Sequence, residues 1–245
     1  MSFPRMKDFP LDLWAYGPSW AYVKTAALAL GAVLLMAAAP ARAEPTTVVS
    51  FGDSLSAGYN LPHDAAFPNQ LEAALTERGL NVRVVNAGVS GDTTAGGRAR
   101  LEWMLGDKPD LVILELGAND ALRGIAPAQV EANLDAILTR LRAEGVAVVL
   151  AGMYAPPNMG AEYAKAFNGI YPRLAEKHGV ALYPFFLEGV VTRRELLLDD
   201  GMHPTAEGVA EIVRRILPTV TEALEEAKLA SRNGPARNAT GSVRQ

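Results

Sequence analysis

The feature that most constrains this chain is an alternation. Between residues 46 and 228, five short runs rich in β-branched residues take turns with five helix-length amphipathic segments. That pattern is the signature of βαβ units and of a parallel sheet covered by helices on both faces. The strand candidates are Thr46–Phe51, Val82–Asn86, Leu111–Leu116, Val146–Ala151 and Val180–Tyr183. The helix candidates are Pro68–Arg78, Thr94–Leu105, Pro127–Glu144, Ala161–His178 and Thr205–Lys228, three of them closed by Gly79, Gly145 or Gly179. Five strands and five helices predict one α/β domain of three layers built on a five-stranded parallel sheet. Pro172 and Pro218 fall inside helical patterns and are expected to kink or divide those helices.

Composition narrows the chemistry. With 245 residues, 49% of them hydrophobic, the chain is long enough to bury a substantial core. A net charge of −4 supplies no basic face to neutralise phosphates, which argues against nucleic acid as a partner. There is no cysteine, which removes thiol nucleophiles, redox pairs, thiolate-bound metal and disulfides together; the three histidines form no HExxH helix. What remains is oxygen nucleophiles, carboxylates, amides and imidazoles, and none of that chemistry calls for a metal or an organic cofactor.

The first 43 residues read as an address. Lys24 precedes an uncharged apolar stretch of 14 residues, Ala26 to Ala39, and then Pro40 and the small-x-small triplet Ala41-Arg42-Ala43. This is the layout of a secretory signal cleaved after Ala43, and it falls short of the roughly 20 residues that cross a bilayer. Residues 1–23 contain Asp8, Asp12, Trp14 and Trp20, unlike a short basic leader, so a start near Val23 fits better. The expected organisation is signal peptide 1–43, domain 44–230 and a disordered tail 231–245, in a periplasmic or secreted protein with no stable membrane span after cleavage.

In a parallel α/β sheet, ligands bind beyond the carboxyl ends of the strands, so the loops there carry the functional candidates. They read Gly52-Asp53-Ser54-Leu55-Ser56, then Asn86 to Thr93, then Gly117-Ala118-Asn119-Asp120, and finally Asp199-Asp200-Gly201-Met202-His203-Pro204 before the last helix. Each alone is what any turn or helix cap contains, and Ser54 on its own reads as readily as a cap. Together they hold a serine at a strand-to-helix turn, backbone N–H groups, a side-chain amide and an Asp-x-x-His pair. Those are the nucleophile, oxyanion donors, base and orienter of acyl transfer.

The segments FGDSLSAGY, NAGVSGDT, ELGANDALRG and DDGMHP, in this order and spacing, resemble the blocks of the SGNH (GDSL) hydrolase family, and most closely its bacterial periplasmic thioesterase, lysophospholipase and arylesterase group. The resemblance runs from Val48 to about Pro218. It implies a flavodoxin-like fold, Ser54 as nucleophile, Asp200 and His203 as its partners, and an oxyanion hole from the backbone N–H groups of Ser54 and Gly91 with the Asn119 amide. It implies a small ester or lipid substrate: aryl esters, short to medium acyl esters, lysophospholipids and acyl-CoA thioesters. A carbohydrate O-acetylesterase, or a binding domain without activity, are the alternatives on the same fold.

The other candidates read as structural. His178 stands before Gly179 at a helix end, where it suits a C-terminal cap, and His63 sits in a proline-containing rim loop. Asp199 reads as a solvated neighbour of Asp200, while Asp53 and Asp120 read as braces of their own turns. The loop Met153 to Gly160 leaves the fourth strand at the same edge, and Met153, Tyr154 and Met159 are its candidates for lining an acyl groove; a plain connection stiffened by proline is the alternative.

Overall fold

A computed structural model describes residues 44–233. The proposed signal segment, and the tail beyond Asn233, lie outside the described residues. Five strands, β1 (Thr46–Gly52), β2 (Val82–Asn86), β3 (Leu111–Glu115), β4 (Ala147–Ala151) and β5 (Ala181–Tyr183), form one sheet in the order β2-β1-β3-β4-β5. Every pairing is parallel. β3 is buried throughout, and β1 and β4 nearly so, as strands covered on both faces must be; the edge strand β2 alternates and stays partly open.

The helices are α1 (Ser54–Ala57), α2 (Phe67–Glu77), α3 (Thr94–Leu105), α4 (Ala118–Leu122), α5 (Pro127–Ala143), α6 (Ala161–Asn168), α7 (Ile170–His178) and α8 (Ala206–Asn233). α2 and α8 pack together over one face of the sheet; α3, α5 and α7 line up on the other. In α8, Val209, Ile212, Val213, Ile216, Leu217, Val220, Ala223 and Leu224 are all buried, the three-and-four spacing of one helical stripe.

One expectation is met with a shift and two need correction. The helix expected over residues 161–178 is divided, as expected from Pro172, with the break at Gly169. The ring of Pro172 opposes the carbonyl four residues back, that of Asn168, so the division appears one turn upstream and leaves Pro172 in the first turn of α7, where no N–H is missed. Pro218 does not divide α8, whose buried stripe runs across it. That helix also continues to Asn233, three residues into the stretch expected to be disordered. Among the described residues no helix is long and apolar enough to cross a membrane.

Position matters most between β1 and β3. β1 has β2 on one side and β3 on the other, so the crossovers diverge there and the loops after β1 and β3 open a crevice between them. The floor of that crevice is tied by Tyr171 of α7, a fully buried ring whose hydroxyl donates to the carbonyl of Leu116 at 2.9 Å. Tyr171→Phe should therefore cost about 1–3 kcal/mol. In a domain of this size thermal unfolding should move down by several degrees, at about 2–4 °C per kcal/mol, while far-ultraviolet dichroism stays unchanged.

Candidate active site

The loop after β1 makes one turn of helix at once. Asp53 is its N-cap, with its Oδ1 accepting from the N–H of Leu55 at 3.0 Å, and Ser54 is the first helical residue. Ser54 is 9% exposed. The chain then reaches Tyr59, which lies against the ring of His203 with centroids 4.3 Å apart.

His203 comes from the loop before α8, and that loop is closed on itself. Leu198 N–H donates to the His203 carbonyl at 2.7 Å, Leu197 bridges Pro204, and Thr205 N–H donates to Leu196 at 2.9 Å. Inside it, Asp200 Oδ1 accepts from the backbone N–H groups of Met202 and His203 at 2.9 and 3.0 Å, and its Oδ2 meets His203 Nδ1 at 2.7 Å. Those backbone donors, His203 first, hold the Asp200 carboxyl down at about 2, below the usual carboxylate range. The other ring nitrogen, Nε2, stands 2.9 Å from Ser54 Oγ, across 149 residues of chain. A carboxylate, an imidazole and a hydroxyl are thus in series, with the aspartate fixing the tautomer that leaves Nε2 able to accept the serine proton.

Asn119 enters from the other side of the crevice. Gly117 caps α4 with φ +124°, and a Cβ there would stand 2.1 Å from the Tyr171 hydroxyl, so only glycine turns the chain between β3 and α4 at that point. Asn119 is the second residue of α4, and its Nδ2 donates to Asp53 Oδ2 at 2.9 Å. Asp120 faces away and ties α4 to α3, accepting from the Thr94 hydroxyl at 2.6 Å and the Thr94 N–H at 2.8 Å. Burial raises its carboxyl.

Gly91, in the loop after β2, is exposed at φ +81°. Arg123 donates to its carbonyl at 2.8 Å. Arg100 spreads one guanidinium over three parts of the rim: Asp92 Oδ2 at 2.7 Å, the Ala87 carbonyl at 2.7 Å and the Gly52 carbonyl at 2.8 Å. It also lies over the Phe51 ring, 4.2 Å from its centroid. One fixed fork therefore holds the ends of β1 and β2 together with the loop that carries Gly91.

Some candidates go elsewhere. His178 is not a cap: its Nε2 pairs with Asp135 of α5 at 2.6 Å, because α7 lies against that helix. His63 is exposed and bonds Asn69 at 3.3 Å, and Asp199 points to solvent. Met153 is 1% exposed, so its expected place on a groove wall is corrected: its side chain is taken up in the hydrophobic core. Tyr154 is half exposed and stacks on Phe185 at 4.5 Å, while the Met159 methyl lies 3.4 Å from where a Cβ on Gly124 would be.

Glu115 was legible only as part of an apolar strand, yet it is fully buried under the site and accepts from the Ser56 hydroxyl at 2.8 Å. Burial, with Asp53 close by, pushes its carboxyl well above the usual range. A glutamate ending the run Leu-Val-Ile-Leu was the signal, since a charge-bearing group on a strand buried on both faces needs a reason.

Comparison with known proteins finds relatives over most of the chain. A model of the GDSL-like lipase/acylhydrolase family matches residues 50–210. An arylesterase of Vibrio mimicus is 43% identical over 192 residues, covering 77% of this chain and 96% of its own length. Thioesterase 1/protease 1/lysophospholipase L1 of Escherichia coli is 41% identical, covering 66% of this chain and 76% of its own. The crystal structure of AlinE4, an SGNH-hydrolase family esterase, superposes with a TM-score of 0.64 at 49% identity, over 75% of this chain and 99% of that one.

The low carboxyl of Asp200 has a sign that can be checked. A group whose acidity is greater in the folded state adds stability above its ordinary value near 3.8 and loses it as pH falls towards 2. Melting temperature should fall between pH 4 and pH 2, and Asp200→Asn should flatten that part of the profile; equal slopes in both proteins would contradict the hydrogen bonding described.

Proposed function

This chain belongs to the GDSL-like lipase/acylhydrolase family and is an ester-hydrolysing enzyme, and from that premise we propose that Ser54, His203 and Asp200 are its catalytic triad. The observation that carries the reading is the unbroken series Asp200 Oδ2, His203 Nδ1, His203 Nε2, Ser54 Oγ at 2.7 and 2.9 Å.

His203 takes the proton of Ser54 as Oγ attacks the ester carbonyl, and Asp200 stabilises the imidazolium that forms. The tetrahedral oxyanion is met by the N–H groups of Ser54 and Gly91 and by Asn119 Nδ2, each donor contributing about two to three orders of magnitude in rate. His203 then hands its proton to the departing alcohol. Water, deprotonated by the same imidazole, attacks the acyl-serine and releases the acid. The substrates are carboxylic esters with aryl or short to medium acyl groups, lysophospholipids and acyl-CoA thioesters, in keeping with what the two curated relatives are named for. Tyr154 and Met159 border the acyl chain: both stand on the loop after β4, and Met159 also reaches the loop that follows α4. Export to the periplasm or beyond, with cleavage after Ala43, completes the reading.

Ser54→Ala should abolish ester hydrolysis without loss of fold, and a phosphonate should label Ser54 alone. His203→Ala should cost several orders of magnitude in kcat, whereas His63→Ala and His178→Ala should cost little. Because triad members act as a unit, the Ser54→Ala/His203→Ala double variant should be scarcely worse than either single change; label on Ser56 or Ser90, or multiplying losses, would defeat the assignment.

A series of p-nitrophenyl esters of increasing acyl length tests the groove. Each buried methylene contributes up to about 0.8 kcal/mol, so kcat/KM should rise up to about fourfold per carbon until the groove is full. Met159→Ser should flatten that slope and leave the acetyl ester nearly untouched. A wild-type rate independent of chain length would make the loop after β4 a connection only.

A further inference from the structure

Asp53 touches two parts of the site at once. Its Oδ1 accepts from Leu55 N–H in the first turn of α1, beside Ser54, and its Oδ2 accepts from Asn119 Nδ2 at the start of α4. These two elements leave different strands of the sheet, and this one side chain joins them. A carboxylate only accepts hydrogen bonds. Asn119 must therefore turn its NH2 towards Asp53, and with one hydrogen spent there the second, on the same nitrogen, is left to point at the cleft. An amide free to flip would present its carbonyl oxygen to the developing oxyanion half of the time, and a carbonyl repels an oxyanion.

We propose that Asp53 is a positioning residue of the oxyanion hole: it fixes which face of the Asn119 amide meets the oxyanion and holds that amide in register with the turn bearing Ser54. This rests on the esterase reading above and extends it by one residue outside the triad. The family resemblance accounted for Asp53 only as part of its block, and its sequence context suggested a brace within its own turn; the bond to Asn119 makes it a brace between turns.

The energetic position of Asp53 supports the assignment. It is completely buried, with no lysine or arginine paired to it. Burial is the first cause that pushes its carboxyl up to about 6, the donors Leu55 N–H and Asn119 Nδ2 pull it down, His203 lowers it, and Asp92 raises it. Glu115 of β3 also lies beneath it and accepts from its backbone N–H at 3.3 Å. A carboxyl raised in the folded state works against stability as pH rises from its ordinary value through about 6. Above that pH the fold keeps a buried negative charge that a neutral side chain would relieve. No lysine or arginine compensates that charge, and a side chain that only accepts hydrogen bonds has no neutral equivalent.

The test uses two variants and a cycle. Asp53→Ser keeps an N-cap acceptor for Leu55 but does not reach Asn119; Asp53→Asn keeps the shape but lets either end of its amide face Asn119. Both should melt at or above the wild-type temperature at pH 8, and both should lose about 30- to 300-fold in kcat on p-nitrophenyl acetate with KM within threefold. In an Asn119→Ala background the same changes should cost less than a further threefold, since the amide they orient is gone. Wild-type kcat in Asp53→Ser, or losses that multiply in the double variant, would overturn the proposal. So would a kcat loss that disappears when rates are corrected for folded fraction. Should Asn119→Ala itself leave kcat unchanged, the oxyanion role of Asn119 falls and this proposal with it; a large loss in Asn119→Ala beside none in Asp53→Ser overturns the role of Asp53 alone.

Discussion

Parallel pairing between β1 and β3 places everything else in the site. Their register sets Gly52 beside Glu115, so the two loops leave the sheet side by side, one carrying Asp53 and Ser54 and the other Asn119. Had β3 paired elsewhere, the serine and the amide would lie on separate strands' ends with a third between them. The crossover that separates β1 from β3 in sequence carries β2 to the far edge, which brings the Gly91 loop to the same crevice from the opposite flank. Three of the four groups proposed for acyl transfer are consequences of strand order, and the fourth, the Asp200–His203 loop, is brought over them by α8 docking on the same sheet.

Polar groups under this crevice are held by a few shared anchors. Arg100 serves three oxygen acceptors, Asp53 serves two donors, and Glu115 accepts from both the Ser56 hydroxyl and the Asp53 N–H. Sharing of this kind serves several polar groups with little space, although Glu115 Oε1 stays without a partner, and it stiffens the parts it joins. A site whose donors are already oriented loses no free energy in reorganising as charge develops on the substrate.

Much of this was legible in the amino-acid order. The five strands and the outer helices follow from apolar periodicity, and Ser54, Asn119, Asp200 and His203 stand in the loops where such a sheet binds ligands. The one-turn helices α1 and α4 were not readable, because four or five residues carry no period. Neither was the partner of His178, since a helix end suggests capping while the true acceptor, Asp135, is 43 residues away and only tertiary packing brings it close. Met153 misled for the opposite reason: it follows the strand in sequence, in a loop, but is buried in the core. Arg100 looks like an ordinary surface charge on a helix, and the glutamate that closes the apolar run of β3 marks a buried charge without naming its partners; both roles exist only once three strand ends converge.

The distance along the chain between Ser54 and His203 has a consequence during synthesis. Ser54 emerges early, and the imidazole proposed to deprotonate it follows 149 residues later. A nascent or truncated chain therefore carries an inert alcohol, no more reactive than any other surface hydroxyl. Chemical competence arrives as a single late event, when α8 closes the domain. On the proposed triad, an unfinished copy of this enzyme has no means of opening an ester.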